Sequence, residues 1–470
     1  MVFSGLTFIF YFLPLFFLFY AILPKSQKNT GLLVGSIVFY AWGAPTFVFV
    51  LLASTIIDYY IVKKLYQAPI NQKKKWLTLS ISLNLGLLIY FKYTNFLIEN
   101  VNILLTKWSI GSMTIAEIAL PIGISFYTFQ TLTYSIDIYR GQNKPLESVR
   151  DYVLYIMMFP QLIAGPIVRY SHISEQIRSR TFGSKQFVEG FIRFTVGLAK
   201  KVLIANTLAS VADIIFGLSV TELTGTLAWL GIILYTFQIY FDFAGYSDMA
   251  IGLGKMLGFK FPENFDSPYT SISITEFWRK WHITLGGFMR DYLYLPLGGN
   301  KKGTLFTYRN LVIVFFLSGL WHGASWNFVL WGLFHGLFLV LERITGLAKS
   351  NRFRLPRTLL TFILVVFGWV LFRVENTESI GYFYNALFQF NGEMPIYLYR
   401  KKLVVTLLFA FVFAFITSTK TGKKWQQHFY SQSYTQKALI CYFGISIVLF
   451  ILSVASLSTG SFNPFIYFRF

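Results

Sequence analysis

Histidine is the side chain whose ordinary pKa best suits proton transfer near neutral pH, and this chain has five: His172, His282, His322, His335 and His428. His322 stands within Ser318-Gly319-Leu320-Trp321-His322-Gly323, inside an apolar run. If residues 311–321 are helical, eleven residues rising about 1.5 Å each put the ring roughly 16 Å along, near the middle of a ~30 Å hydrocarbon layer. Lipid does not solvate such a ring, so it must face a polar cavity or a partner. Two readings fit: a hydrogen bond that fixes helix packing, or proton transfer in a reaction. For His335, beside Gly336, packing is preferred, because the glycine permits close helix contact. His172 and His428 fall in polar stretches and are expected to be solvated.

His282 ends the run Ser273-Ile274-Thr275-Glu276-Phe277-Trp278-Arg279-Lys280-Trp281-His282. Ser273 and Glu276 have capping-box spacing, which predicts a helix starting there. On that helix Glu276 and Lys280 are neighbours one turn apart, as are Trp278 and His282. An amphipathic helix in the membrane interface accounts for these residues without chemistry. A cationic, aromatic mouth for an anionic, nucleotide-bearing donor accounts for them with it. Asp242 and Asp248 lie where an apolar span is expected to end, and an ion pair with Lys255 or a nearby arginine is preferred to catalysis. Carboxylate or thiolate ligands at metal-type spacing are missing, so no metal is expected. Cys441 sits in an apolar run and reads as a small buried side chain, without an intrachain disulfide.

The elements that hold these residues are those of a membrane protein. The 470 residues are 55% hydrophobic and only 13% charged, with mean hydropathy +0.56, too apolar for a soluble domain. The net charge of +21 falls in short clusters between apolar runs. That pattern orients helices across a bilayer and does not track a phosphate backbone, so nucleic acid is excluded as a partner.

Residues 1–23 read as a retained first span without a cleavage signature, followed by Lys25 and Lys28. Residues 31–62 read as a hairpin broken at Gly43-Ala44-Pro45, and the lysines at 63, 64 and 73–75 mark a cytoplasmic loop. Residues 76–91 cross outward, 94–117 form an external loop, and 119–139 return. Residues 152–168, interrupted by Phe159-Pro160 and Gly165-Pro166 between basic flanks, suggest a re-entrant element. Residues 187–201 suggest an interfacial amphipathic helix. Spans are then expected at 202–218, 227–241, 359–372, 403–416 and 438–457, with 242–309 at the cytoplasmic face and a hairpin turning at His322.

Several of these segments together resemble the membrane-bound O-acyltransferase superfamily, in particular its bacterial polysaccharide O-acetylation branch, which includes alginate- and peptidoglycan-acetylating members. The resemblance is carried by Phe39-Tyr-Ala-Trp-Gly43, Pro121 to Gln130, Phe159-Pro-Gln-Leu-Ile-Ala-Gly-Pro-Ile167, Gln238 to Gly252, Glu276 to Gly299 and Ser318 to Trp326. One departure is Leu285-Gly286-Gly287-Phe288, where serine- and tryptophan-bearing residues are expected.

The resemblance implies an all-α, polytopic fold: one domain over 1–470, a ring of roughly ten or more helices with re-entrant and interfacial pieces around a thinned centre. It implies His322 as the catalytic histidine and His282 as the second signature position. Trp278, Arg279, Trp281, Asn310 and Trp321 are then the expected donor-binding residues. It further implies acetyl-CoA as donor substrate with no permanently bound cofactor, and multi-pass residence in a bacterial inner membrane. The acceptor is a polysaccharide, reached directly or through an extracytoplasmic esterase-like (SGNH-type) partner. His322 would act as general base or through a transient acetyl-histidine, and His282 would orient the donor or polarise its carbonyl. A transporter or export channel without bond chemistry, and D-alanyl transfer to teichoic acid, are the competing readings.

Overall fold

The computed structural model describes residues 1–350, 352–389, 391–393, 400–430 and 434–460. These are helical, apart from turns, loops and a single antiparallel bridge between Phe265 and Trp281. The α-helices of fifteen residues or more are numbered α1 (Lys28–Gly43), α2 (Phe47–Gln67), α3 (Ile70–Lys107), α4 (Ile124–Tyr139), α5 (Ser184–Ala199), α6 (Gly225–Met256), α7 (Thr304–His322), α8 (Trp326–Ile344), α9 (Arg354–Arg373), α10 (Lys401–Phe415) and α11 (Gln436–Thr459). Among the described residues seven helical segments are long and apolar enough to cross a membrane: α3, α6, α7, α8, α9, α10 with its short continuation, and α11.

The chain divides into two compact units, residues 1–183 with 257–262, and residues 184–256 with 263–470. In the first, α1 and α2 form the expected pair, parted at Ala44 and Pro45. A buried polar network binds α2 to its neighbours. Asp58 accepts from Ser80 (2.6 Å), Asn84 (2.9 Å) and Tyr152 (2.5 Å), and Thr131 of α4 donates to Asn84 (2.9 Å). The segment expected to be re-entrant is a helix at Val149–Met157, a break at Met158, a single turn at Phe159–Leu162 and irregular chain through Gly165, whose φ is +109°. Residues 152–168 are all buried, so protein covers that backbone. The helix expected at 76–91 is far longer: α3 has 38 residues and runs on through much of the supposed external loop.

The second unit is built around α6, which is 32 residues long and buried along most of its length. It does not stop near residue 241, because its acidic residues are paired inside the protein. Lys201 reaches Asp242 at 2.6 Å, while Arg193 (2.7 Å) and Lys200 (2.6 Å) reach Asp248. Lys255 instead binds Glu189 at 2.9 Å. Arg193, Lys200 and Lys201 lie on α5 and its continuation through 200–205, so α5 is a buried partner of α6 and not an interfacial helix.

Glycine sets how closely the two helices approach. A Cβ on Gly190 would meet the Gly252 carbonyl oxygen at 2.6 Å, and one on Gly197 would meet that of Gly245 at 2.5 Å. The seven-residue spacing on each helix brings both pairs onto one seam, the small-residue packing of membrane interiors. Cys441, by contrast, is exposed on α11, most of whose apolar side chains face outward.

Gly197→Ala should lower stability by about 1–3 kcal/mol or more, since only backbone could give way. Gly86→Ala in α3, where an added methyl meets nothing within 4 Å, should be neutral or raise it by about 0.5–1 kcal/mol. Thermal unfolding of the two detergent-solubilised variants against wild type checks both signs.

Candidate active site

Helices α7 and α8 form a hairpin whose crossing is again glycine on glycine. A Cβ on Gly319 would stand 2.2 Å from the Phe328 carbonyl oxygen, and one on Gly332 equally close to that of Phe315. The chain leaves α7 at Gly323 with φ −163°, and α8 begins at Trp326. His322 is the last residue of α7, at the turn of the hairpin as expected. The helix begins earlier than expected, at Thr304, so its nineteen residues run about 28 Å and His322 lies at the far end. The polar start remains helical because the Asn310 amide donates to the Gly299 carbonyl oxygen (2.9 Å) while its oxygen accepts from Arg309 (2.9 Å). The His322 ring is buried, with centroids 4.9 Å from Trp321, 5.0 Å from Trp331 of α8 and 5.3 Å from Phe372 of α9.

His282 is placed differently from the sequence expectation. The short helix Ile274–Lys280 starts as predicted, with Ser273 Oγ accepting from the Glu276 N–H (3.0 Å) and Glu276 pairing with Lys280 at 2.8 Å. It is packed into the core rather than lying in an interface, since Ile274 and Phe277 are buried. Glu342 near the end of α8 also caps it, accepting from the Thr275 N–H and hydroxyl at 2.9 and 2.7 Å. The helix then ends at Lys280, whose carbonyl oxygen accepts from the Asp266 N–H (3.0 Å). Trp281 is extended, and His282 takes a left-handed conformation with φ +46°. His282 and Trp278 therefore do not share a helical face. A non-glycine residue held left-handed costs roughly 1–2 kcal/mol, so its surroundings must fix it.

What fixes it is Asn264, a residue nothing in the sequence singled out. Its side-chain oxygen accepts from the Thr284 N–H (3.3 Å) and hydroxyl (2.8 Å), and its amide donates to Ser247 (3.1 Å). A backbone N–H can only donate, so the atom facing it is Oδ1. The His282 Nδ1 that touches the same oxygen at 3.0 Å must carry the proton. Nε2 therefore holds the lone pair, and it is buried without a hydrogen-bond partner among the described residues. Burial also pushes this imidazole down to about 3, so it is neutral at physiological pH. On its other side the ring lies 6.0 Å from Trp321, so the two histidines flank one indole.

The remaining candidates divide. Trp278 contacts Trp331 (5.4 Å) and His335 (5.0 Å), and Trp281 packs on Trp369 (4.9 Å), so both belong to the aromatic jacket around the histidines. His335 is fully buried in that jacket, 5.1 Å from Trp331, and among the described residues neither ring nitrogen has a hydrogen-bond partner. It bears out a packing role, although Gly332, not Gly336, makes the close helix contact. Arg279 is exposed and is not gathered with these rings. Asn310 is twelve residues up α7, about 18 Å from His322, with its amide committed to a loop. His172 and His428 are exposed, as expected, but on short helices.

Comparison with known proteins bears on this constellation. Residues 70–384, which include both histidines, match the membrane-bound O-acyltransferase family. The probable alginate O-acetylase of Pseudomonas putida is 42% identical over the full length of both chains. The peptidoglycan O-acetyltransferase of Helicobacter pylori is 38% identical over 81% of this chain and 78% of its own. The teichoic acid D-alanyltransferase of Streptococcus thermophilus is 28% identical over 47% of this chain and 56% of its own. This chain belongs to the membrane-bound O-acyltransferase family.

In this acyltransferase the match encloses Asn264, Thr284 and Ser247 together with the histidines they serve. Asn264→Leu, which cannot accept from Nδ1, should cost roughly tenfold or more in acyl transfer, and Asn264→Asp, which can, should retain most of it. Because His282 stays neutral down to about 3, His282→Gln should lower the rate without moving its pH dependence between about pH 5 and 8. Rate–pH profiles of the three purified variants test the assignment, and a shifted profile in His282→Gln would contradict it.

Proposed function

We propose that this membrane enzyme takes an acetyl group from acetyl-CoA on the cytoplasmic side and delivers it to a hydroxyl for O-acetylation of an extracytoplasmic polysaccharide. Supporting the acetyl reading, two relatives named for O-acetylation match 100% and 81% of the chain, against 47% for a D-alanyltransferase. On this reading the chain resides in a bacterial inner membrane, and an esterase-like protein outside carries the acetyl group onward to the polymer.

The observation that carries the chemistry is the contrast between the two rings beside Trp321. His322 ends a nineteen-residue helix, where the unpaired carbonyls of the last turn favour a positive charge by about 0.3–1 kcal/mol. A group that must become an imidazolium in the transition state gains from that position. His322 therefore takes the proton of the acceptor hydroxyl as its oxygen attacks the thioester carbonyl. The carbon–sulfur bond then breaks, and the imidazolium returns the proton to the leaving thiolate, giving the ester and free CoA thiol.

His282 has its one N–H held by Asn264, so its free Nε2 can only accept a hydrogen bond. It therefore orients a donor group, such as an amide N–H of the pantetheine arm, and does not polarise the carbonyl. Trp278, Trp281 and Trp321 line the donor's path as apolar walls.

His322→Ala should reduce polymer-bound acetyl by roughly a hundredfold or more at unchanged protein level. The purified wild type given acetyl-CoA and a hydroxyl acceptor should release free thiol, and the variant should not. Normal polymer acetylation in His322→Ala cells would refute the mechanism. Turnover of a D-alanyl donor in place of acetyl-CoA would move the enzyme to the other branch of its family.

A further inference from the structure

The first unit carries a feature that acyl transfer does not use. Helix α3 has 38 residues, about 57 Å, nearly twice the ~30 Å thickness of a hydrocarbon layer. Its start bears Lys73, Lys74 and Lys75, the signature of a cytoplasmic end. Its last three turns accordingly stand clear of the bilayer on the outer side. Beyond Trp108 the chain turns back along them, and residues 111–120 run without turn or bend.

Two asparagines hold this strap. Asn95 takes both backbone groups of Ile118, accepting at 3.1 Å and donating at 2.9 Å. Asn102 does the same for Met113, at 2.7 and 3.0 Å. Between the pins, the backbone N–H and C=O groups of residues 114–117 have no partner among the described residues. Strap and helix enclose an open groove of about 700 Å³, walled by Ile98, Ile103, Met113 and Ile115, with Glu99 and Glu117 as its charged groups and no cation. Trp108 (66%), Ile110 (67%) and Ile115 (52%) are exposed beside it.

We infer that this groove is the docking site for an extended, basic segment of the extracytoplasmic protein that receives the acetyl group; it rests on the proposed function only in assuming such a receiver. Three properties select that occupant. Unpaired backbone groups along a straight, exposed strap are a template for strand addition. Aliphatic walls outside a membrane mark a protein contact. Two carboxylates without a cation attract lysine or arginine and repel an anionic polymer.

The test uses the full-length protein in cells and after purification. Glu99→Lys/Glu117→Lys should lower polymer-bound acetyl by roughly tenfold or more, while thiol release from acetyl-CoA with a small hydroxyl acceptor stays within about twofold of wild type. Ile115→Pro, which removes a strap N–H, should act in the same direction. A benzophenone amino acid at position 115 should cross-link to an extracytoplasmic polypeptide at a lysine- or arginine-bearing segment, and the adduct should vanish in the charge-reversed background.

Unchanged polymer acetylation in the charge-reversed variant would overturn the inference. So would parallel loss of thiol release, or adducts to glycan or lipid alone. Absence of thiol release in the wild type would instead refute the acetyl-transfer reading, so the two failures are distinct.

Discussion

The burial of Asp248 is the constraint from which the arrangement of the second unit follows. A carboxylate inside the protein costs several kcal/mol unless cations meet it with good geometry. Arg193 and Lys200 do so at 2.7 and 2.6 Å. Both belong to α5 and its continuation, so that helix must lie along α6 in one register. The glycines at 190, 197, 245 and 252 let the backbones come near enough for the side chains to reach. The register then propagates toward the chemistry through neighbours in sequence. Ser247, beside Asp248, accepts from Asn264, and Glu263, beside Asn264, binds the Arg193 guanidinium through both oxygens at 3.1 and 2.6 Å. Asn264 in turn sets the tautomer of His282. A charge pair and a histidine on different elements are thus parts of one hydrogen-bonded path.

Much of this was legible in the sequence wherever one residue's physics decides the outcome. The helix break at Ala44-Pro45, the interrupted chain around Pro160 and Gly165, and the cap at Ser273 follow from local backbone chemistry. So does the turn of the hairpin at His322-Gly323. Family membership was legible from the ordered motifs, which the match over residues 70–384 bears out.

What was not legible depended on partners distant in sequence. Polar residues looked like span ends at Asp242 and Asp248, and like an interfacial face at Arg193 and Lys201. Their mutual neutralisation is a tertiary fact, absent from any window of local hydropathy. For the same reason α6 was expected to be short and α5 to lie in the membrane interface. Asn264 left no trace, because an asparagine in a polar loop resembles any other until its three hydrogen-bond donors are in place. The loss of helical pairing between Trp278 and His282 has a similar origin. The bridge from Phe265 to Trp281 competes with the next helical turn and wins.

On the proposed mechanism, two identical side chains would take distinct roles because their backbone placements differ. His282 stands in a loop with its single N–H engaged by an amide oxygen that is itself held by a backbone donor, and burial keeps the ring neutral. Taking up a second proton there would put a charge among Phe243, Trp321 and their neighbours, where burial disfavours it. His322 stands at the carbonyl end of a span-length helix, where the same charge meets aligned dipoles, beside the rings of Trp321, Trp331 and Phe372. On the mechanism proposed above, a proton moving through this site would be taken up by His322 and not by His282. On that mechanism, exchanging the two backbone settings, not the two residues, would exchange the proposed roles.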